Sequence, residues 1–196
     1  SIEAGHGELS ELGHLVANAI VKAHLATMLR LGIQYDVLPR ESEILHLKFW
    51  ASAFEQLKER KAIYLETEGK NKGCWVMPGS AFREGGGGEG EEDSKVIVRS
   101  NGTVTYVGKD MAYQLWKFGL LGKDFFYRAF ETRDGRVLFA TTSDATSAPA
   151  DRPEFGKASA VYNVIDSRQA YLQKLLKQAL ATMGFAREAS HSTHFS

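Results

Sequence analysis

The sequence contains one cysteine and four prolines, and it has no excess of either charge. Cys74 alone forms neither an internal disulfide nor a cysteine zinc cluster, so both kinds of crosslinked fold are excluded. Lys plus Arg number 24 and Asp plus Glu number 24, whereas a dedicated binder of nucleic acid or anionic membrane needs a basic excess. No uninterrupted apolar run approaches about 18 residues, and residues 1–6 lack the basic and apolar regions of a signal peptide. We therefore expect a cytoplasmic chain with no membrane partner.

The apolar content points to an ordered fold of helices and hairpins. Hydrophobic residues make up 43% of 196 residues, which is enough for a sizeable core. Apolar residues at spacings of three and four predict helices over about 10–31 and 41–60, with Gly32 ending the first. Alternating segments predict three hairpins, and the acidic, glycine-rich stretch 84–93 predicts a flexible insertion loop. The hairpins pair residues 62–67 with 74–77, 95–99 with 103–107, and 125–130 with 136–141.

The last part of the chain gives the fold class. An apolar strand over 161–166 leads directly into a periodic helix over 169–183, which Gly184 closes. A strand followed by an amphipathic helix is half of a βαβ unit, the building block of a nucleotide-binding sheet. We therefore predict an α/β fold. Its regions are helical (1–62), β-hairpin with the acidic loop (63–109), and strand–helix with the hairpin insertion 125–141 (110–196).

Polar residues cluster where predicted strands give way to helices, which is where open α/β sheets bind ligands. The clusters are 106–110, 166–169 and, at the start of the second helix, 40–43. Each residue also has a purely local interpretation, and spacing alone does not decide between the two. Asp110 could be a helix N-cap, Glu41 a first-turn acid, Gln169 a surface residue, and Tyr106 a half-buried strand aromatic. His24 and His46 have no partner at metal-binding spacing, so we predict no metal site.

Three ordered segments carry a resemblance to a known family. Residues 102–113 read GTVTYVGKDMAY, which is similar to the G-T-x-x-Y-x-x-K/R-D-hydrophobic-A element of arginyl-tRNA synthetases. Residues 31–36 read LGIQYD and are followed by Arg40-Glu41-Ser42, which resembles that family's L-G-I-x-Y-D…E-S segment. Residues 164–169 read VIDSRQ, which resembles its strand-then-Gln element, and a helix similar to L-x-x-M-G-F follows at 180–185.

The resemblance implies part of the Rossmann-type catalytic domain of a class I synthetase, with helical and β-hairpin insertions. In that family Asp110 would pair with the guanidinium of L-arginine, and Glu41 would supply a second carboxylate. Tyr106 would orient the arginine side chain, and Gln169 would bond its α-amino and carboxylate end. The complete enzyme would take ATP with Mg²⁺ as substrate and transfer arginine to tRNA(Arg), which other domains would mainly hold.

The sequence also departs from the family pattern. The HIGH-type and KMSKS-type motifs of class I synthetases are absent, and Leu172 stands where the family has a histidine. We therefore expect an excised portion of an arginine–tRNA ligase that is inactive alone and needs no cofactor of its own. The competing hypotheses are a non-catalytic binding or structural module derived from a synthetase, and an unrelated α/β nucleotide-binding protein.

Overall fold

The computed structural model describes residues 7–78, 94–147 and 153–196. The chain divides into two compact units. The first unit combines residues 1–42 with 126–150, and the second combines residues 43–125 with 151–196. The three-region division drawn from the sequence is a different partition and stays a prediction.

The first unit consists of a long helix and a small mixed sheet. Helix α1 spans Glu8–Arg30, as predicted, and Gly32 beyond its end has a φ of 75°. The sheet contains β1 (Val37–Leu38), β5 (Phe126–Arg133) and β6 (Arg136–Thr142), in the order β1-β6-β5. The hairpin of β5 and β6 confirms the prediction. Its turn residues Asp134 and Gly135 both have positive φ, at 50° and 77°, as a two-residue hairpin turn requires.

The apolar stripe of α1 lies on the surface of the described residues. Leu12, Leu15, Val16 and Ile20, whose spacing predicted the helix, are all exposed. Because this helix forms without covering its stripe, its periodicity identified the element but not its burial. By length and composition alone α1 would also meet the requirements of a membrane span, although Lys22 and two histidines interrupt the run. One such helix near the N-terminus is weak evidence, because a signal sequence meets the same test.

Two helices replace the single helix predicted over 41–60. Helix α2 spans Glu41–His46 and α3 spans Phe49–Glu59, with Lys48 between them at a φ of 55°. This left-handed residue breaks the helical register and rotates the face that becomes buried. Of the stripe predicted for this helix, Ile44 and Leu57 are buried, whereas Trp50 and Phe54 are only partly buried and Ala51 is exposed. Phe49 and Ala53, which the stripe did not include, are buried instead.

An antiparallel sheet follows, in the order β2-β3-β4. Its strands are β2 (Tyr64–Leu65), β3 (Trp75–Met77) and β4 (Lys95–Val98), so the hairpin of 62–67 with 74–77 is confirmed. The predicted partner strand over 103–107 is wrong, since only the bridge between Val98 and Val104 forms. Helix α4 begins at Tyr106 and runs to Lys117, instead of beginning near Asp110. The acidic loop predicted over 84–93 lies outside the described residues.

A complete βαβ unit ends the chain and confirms the α/β fold. Strand β7 (Val161–Val164) leads through a 3₁₀ turn (Ser167–Gln169) into α5 (Ala170–Thr182). Helix α6 (Ala186–Ser190) then precedes β8 (Ser192–Phe195), which pairs in parallel with β7. The sequence did not predict β8. The core of the second unit lies mainly where α3, α4 and α5 meet. It includes Leu57, Met111, Leu115, Leu175, Leu180 and Met183.

Candidate functional site at the starts of two helices

The start of α4 presents Tyr106 and Asp110 one helical turn apart. Side chains four residues apart share a face of a helix, so the phenol ring and the carboxylate lie on the same side. Tyr106 is 56% exposed and Asp110 is partly buried. The local interpretations of both residues are wrong, because Thr105 is the N-cap residue and Tyr106 is the first helical residue rather than a strand residue.

Polar contacts join the end of α4 to β7 and α5. The ammonium of Lys117, two turns beyond Asp110, donates to Asn163 Oδ1 at 2.8 Å and lies 4.6 Å from the ring centroid of Tyr113. Asn163 in turn donates to Gln173 Oε1 at 2.7 Å. Burial lowers the pKa of Lys117, and the charge of Asp110 acts in the opposite direction. The Lys117 ammonium thus lies two helical turns beyond Asp110, on the same side of α4.

The side chain of Lys95 contacts the first turns of both α4 and α5. Its Nζ lies 5.9 Å from the ring centroid of Tyr106 and 5.4 Å from that of Tyr171, within the range of cation–π attraction. Gln169 is exposed two residues before Tyr171, where it occupies the N-cap position of α5 without a side-chain capping bond. Tyr106 and Tyr171, from the first turns of α4 and α5, therefore lie near the same ammonium.

The turn that carries Gln169 is held by a charged contact. The carboxylate of Asp166 accepts hydrogen bonds from the backbone N–H and the Nε of Arg168, both at 2.9 Å. These bonds lower the pKa of Asp166. Asp166 thus caps the 3₁₀ turn that contains Gln169.

Glu41 belongs to a different compact unit from the other three predicted residues. It is the exposed first residue of α2 and belongs to the first unit, whereas the other three residues belong to the second. Its local interpretation as an acid in the first turn agrees with this position. Its predicted role as a second carboxylate stays a prediction.

An open cavity of about 910 Å³ adjoins Tyr106 and Tyr171. Three of its lining residues are cations, namely Lys70, Lys95 and Arg99. We call this cavity the basic groove. Its remaining lining residues are Asn71, Cys74, Ser94, Val96, Ser100, Asn101, Thr103, Val104, Thr105, Tyr106 and Tyr171.

Sequence reasoning missed Lys95 and Tyr171 as neighbours of the candidate site. Lys95 begins a strand that is distant in sequence from both helices, so no spacing links it to them. Tyr171 could have been predicted from the sequence, since it is an aromatic residue in the first turn of the helix that follows Gln169.

Comparison with known proteins identifies the chain. No family model matches it. The arginine–tRNA ligase of Deinococcus radiodurans is 38% identical over 189 residues, which cover 96% of this chain and 30% of that protein. The arginine–tRNA ligase of Thermococcus kodakarensis is 34% identical over 193 residues, which cover 98% and 29%. A solved arginyl-tRNA synthetase from Thermus thermophilus matches with a TM-score of 0.77 at 33% identity, over 93% of this chain and 29% of that one. The chain belongs to the arginyl-tRNA synthetase family.

As a member of the arginyl-tRNA synthetase family, the chain corresponds to one portion of the arginine–tRNA ligases that it matches. It spans 29% of the length of the first curated relative it matches. Within residues 7–78, 94–147 and 153–196, no three His, Cys, Asp or Glu side chains gather where they could hold a metal ion. We therefore assign no Mg²⁺ ligand to the described part of this synthetase chain.

Proposed function

We propose that this chain forms part of the L-arginine site of an arginine–tRNA ligase. The observation that carries the proposal is the pair Tyr106 and Asp110, which the start of α4 presents on one face. Both residues match motif positions to which the family resemblance assigns arginine recognition. The chain's similarity to arginine–tRNA ligases over nearly its whole length supports the proposal.

The chemistry of the ligand suits these side chains. A guanidinium is a planar, permanently charged fork of five donors, so it needs acceptors fixed in its plane. The carboxylate of Asp110 would accept charge-assisted and paired hydrogen bonds, and the ring of Tyr106 would pack against the flat cation.

Two further residues would complete recognition. Gln169 would bond the α-amino and carboxylate end of arginine, since its amide both donates and accepts. Glu41 would give the guanidinium a second carboxylate. Lysine lacks the planar fork, so it would leave acceptors unpaired and be rejected by about 10⁴-fold or more.

The complete ligase would activate arginine with ATP. The arginine carboxylate would attack the α-phosphate of ATP, which is supplied with Mg²⁺ as a substrate, and the arginyl group would pass to the terminal ribose of tRNA(Arg). This chemistry depends on positioning and on stabilisation of phosphate charge. Because the HIGH-type and KMSKS-type motifs are absent, we propose that the chain alone binds arginine without activating it, in the cytoplasm.

A binding measurement on the 196-residue chain tests the proposal. Isothermal titration should detect L-arginine but not L-citrulline, which is nearly isosteric and uncharged. Asp110→Asn should weaken arginine binding about 10- to 100-fold, because hydrogen bonds to charged groups contribute about 1.5–3 kcal/mol. Asp134→Asn is the matched control, since it makes the same change in a hairpin turn of the first unit where Asn is well tolerated.

The same variants separate binding from folding. Asp110→Asn should keep its thermal unfolding midpoint within a few degrees of the wild-type value while it loses arginine. In the complete synthetase it should reduce arginine-dependent ATP–pyrophosphate exchange. Equal arginine affinity in Asp110→Asn and wild-type chains would show that Asp110 does not recognise the guanidinium.

A further inference from the structure

A chain of side-chain hydrogen bonds connects α4, β7 and α5. The Lys117 ammonium on α4 donates to Asn163 Oδ1 on β7 at 2.8 Å. The Asn163 amide then donates to Gln173 Oε1 on α5 at 2.7 Å. We call these three residues the polar bridge. All three are partly buried, so water competes poorly for their hydrogen bonds, and breaking one leaves a polar group that is hard to satisfy.

The polar bridge is attached to the sides of α4 and α5 that carry the predicted site residues. Lys117 follows Asp110 by seven residues, or about two helical turns, so both lie on one side of α4. Burial lowers the pKa of Lys117 and the charge of Asp110 opposes that shift, which agrees with this placement. Gln173 follows Gln169 by four residues, one turn into α5. The bridge therefore connects the Asp110 side of α4 to the element that begins at Gln169.

The elements that the polar bridge connects have little room to move apart. The cavity among the side chains of α3, α4 and α5 has a volume of only about 10 Å³, at most the space of one water molecule. A second polar contact holds α4 to β8, where the buried Gln114 donates to Ser192 Oγ at 3.0 Å. Tight packing and directional hydrogen bonds together fix the position of α4 relative to the βαβ unit.

A ligand that is held at both ends must match the distance between the groups that hold it. In the proposed arginine site, Asp110 holds the guanidinium and Gln169 holds the α-amino and carboxylate end. These two residues lie on different elements, so their separation depends on how α4 is held against β7 and α5. Lys117, Asn163 and Gln173 do not line the basic groove, which suits residues that act by holding these elements.

We propose that the polar bridge sets the length of the amino acid that the arginine site accepts. Lys117, Asn163 and Gln173 are positioning residues, which fit the separation of the two ends of the site to the methylene chain of L-arginine. L-Homoarginine carries the same guanidinium on a chain that is one methylene longer, so the bridge disfavours it. The inference rests on the proposed function, because a length is selected only if Asp110 and Gln169 hold the two ends of arginine.

Isothermal titration of the 196-residue chain with L-arginine and L-homoarginine tests this inference. One methylene changes affinity about 10- to 200-fold in a fitted pocket, so the wild-type chain should prefer arginine by about 10-fold or more. Asn163→Leu keeps the size of the side chain and removes both hydrogen bonds of the bridge. It should lower the ratio of arginine affinity to homoarginine affinity about three- to ten-fold, the range expected when a hydrogen bond is lost. Gln173→Leu removes one bond and should lower the ratio less.

Controls separate length selection from a loss of folding. Asn163→Leu leaves the Lys117 ammonium without its acceptor, so a second chain combines it with Lys117→Met. Replacing both partners by apolar side chains is nearly neutral for stability, and this double variant should also show the lower ratio. Gln178→Leu makes the same change as Gln173→Leu elsewhere on α5 and should keep the wild-type ratio. A variant that is only less stable would lose both affinities together.

The outcomes also separate this inference from the proposed arginine site. If the Asn163→Leu and double-variant chains bind arginine with an unchanged ratio, the role of the polar bridge is overturned and the arginine site stands. Equal wild-type affinity for the two amino acids would have the same consequence, as would loss of both amino acids by every folded bridge variant. A wild-type chain that binds neither amino acid would overturn both proposals.

Discussion

At the scale of single residues, Tyr113 and Lys117 are neighbours on α4 whose pKa values move in opposite directions from one physical cause. Burial favours the neutral form of each side chain. It raises the pKa of Tyr113 from 10.0 to about 12, and it lowers the pKa of Lys117 from 10.5. The two groups therefore give the stability of the chain opposite dependences on alkaline pH.

We predict that Tyr113→Phe makes the chain more resistant to alkaline unfolding. Between pH 10 and about 12 the folded state keeps the Tyr113 proton while the unfolded state releases it, so stability falls as pH rises, by about 1.4 kcal/mol per pH unit. Below pH 10.5 the unfolded state binds more protons at Lys117, so that residue makes stability rise with pH. Urea unfolding at pH 9.5 and 11.5 measures the difference. Tyr64→Phe, at an exposed ring, should retain the wild-type fall.

The residues of the candidate site differ in how far sequence could find them. Tyr106, Asp110 and Gln169 were predicted from the resemblance to the family motif and from their places between predicted strands and helices, and their roles stay predictions. Lys95 was missed because a cation between two rings depends on how β4, α4 and α5 pack, which no local spacing encodes. The alternative interpretation of Asp110 as an N-cap fails, because α4 begins at Tyr106, four residues before the start that the hydrophobic pattern indicated.

At the scale of secondary structure, turn chemistry was predicted better than helix continuity. Asp134 and Gly135 occupy the positive φ values of a hairpin turn, and a strand leading into α5 formed as its pattern required. The helix over 41–60 failed because its periodicity gave no sign of the break at Lys48. The strand over 103–107 failed because Thr105 bonds two β4 carbonyls and turns the chain into α4.

Lys48 provides a direct test of this break. A residue with a side chain pays about 1–2 kcal/mol in the left-handed conformation, whereas glycine adopts it freely at some entropic cost. Lys48→Gly should therefore raise the free energy of unfolding by about 0.5–1 kcal/mol. Ala51→Gly, on the exposed side of α3, should lower it by about 1 kcal/mol. If both substitutions destabilised the chain equally in urea, α2 and α3 would behave as one helix in solution.

At the scale of the whole molecule, burial is shared unequally between the two units. Among the described residues, the buried apolar residues of the first unit are Tyr127, Phe139 and Ala140, and all the others belong to the second unit. In α1 the only buried residue is Ser10. A helix of 23 residues with so little burial depends on its own hydrogen bonds, which are marginal in water.

Hydrogen exchange followed by mass spectrometry should therefore separate the units. Local opening costs least where few apolar contacts break, so amides of α1 should exchange at least about 100-fold faster than those of α4 and α5. A difference of that size corresponds to about 2.7 kcal/mol between the two opening reactions. Substituting a second-unit core residue, as in Leu175→Ala, should lower protection in α4 and α5 and leave α1 nearly unchanged, because Leu175 is fully buried in that unit. Uniform protection of all three helices would instead mean that the 196-residue chain unfolds as one cooperative body.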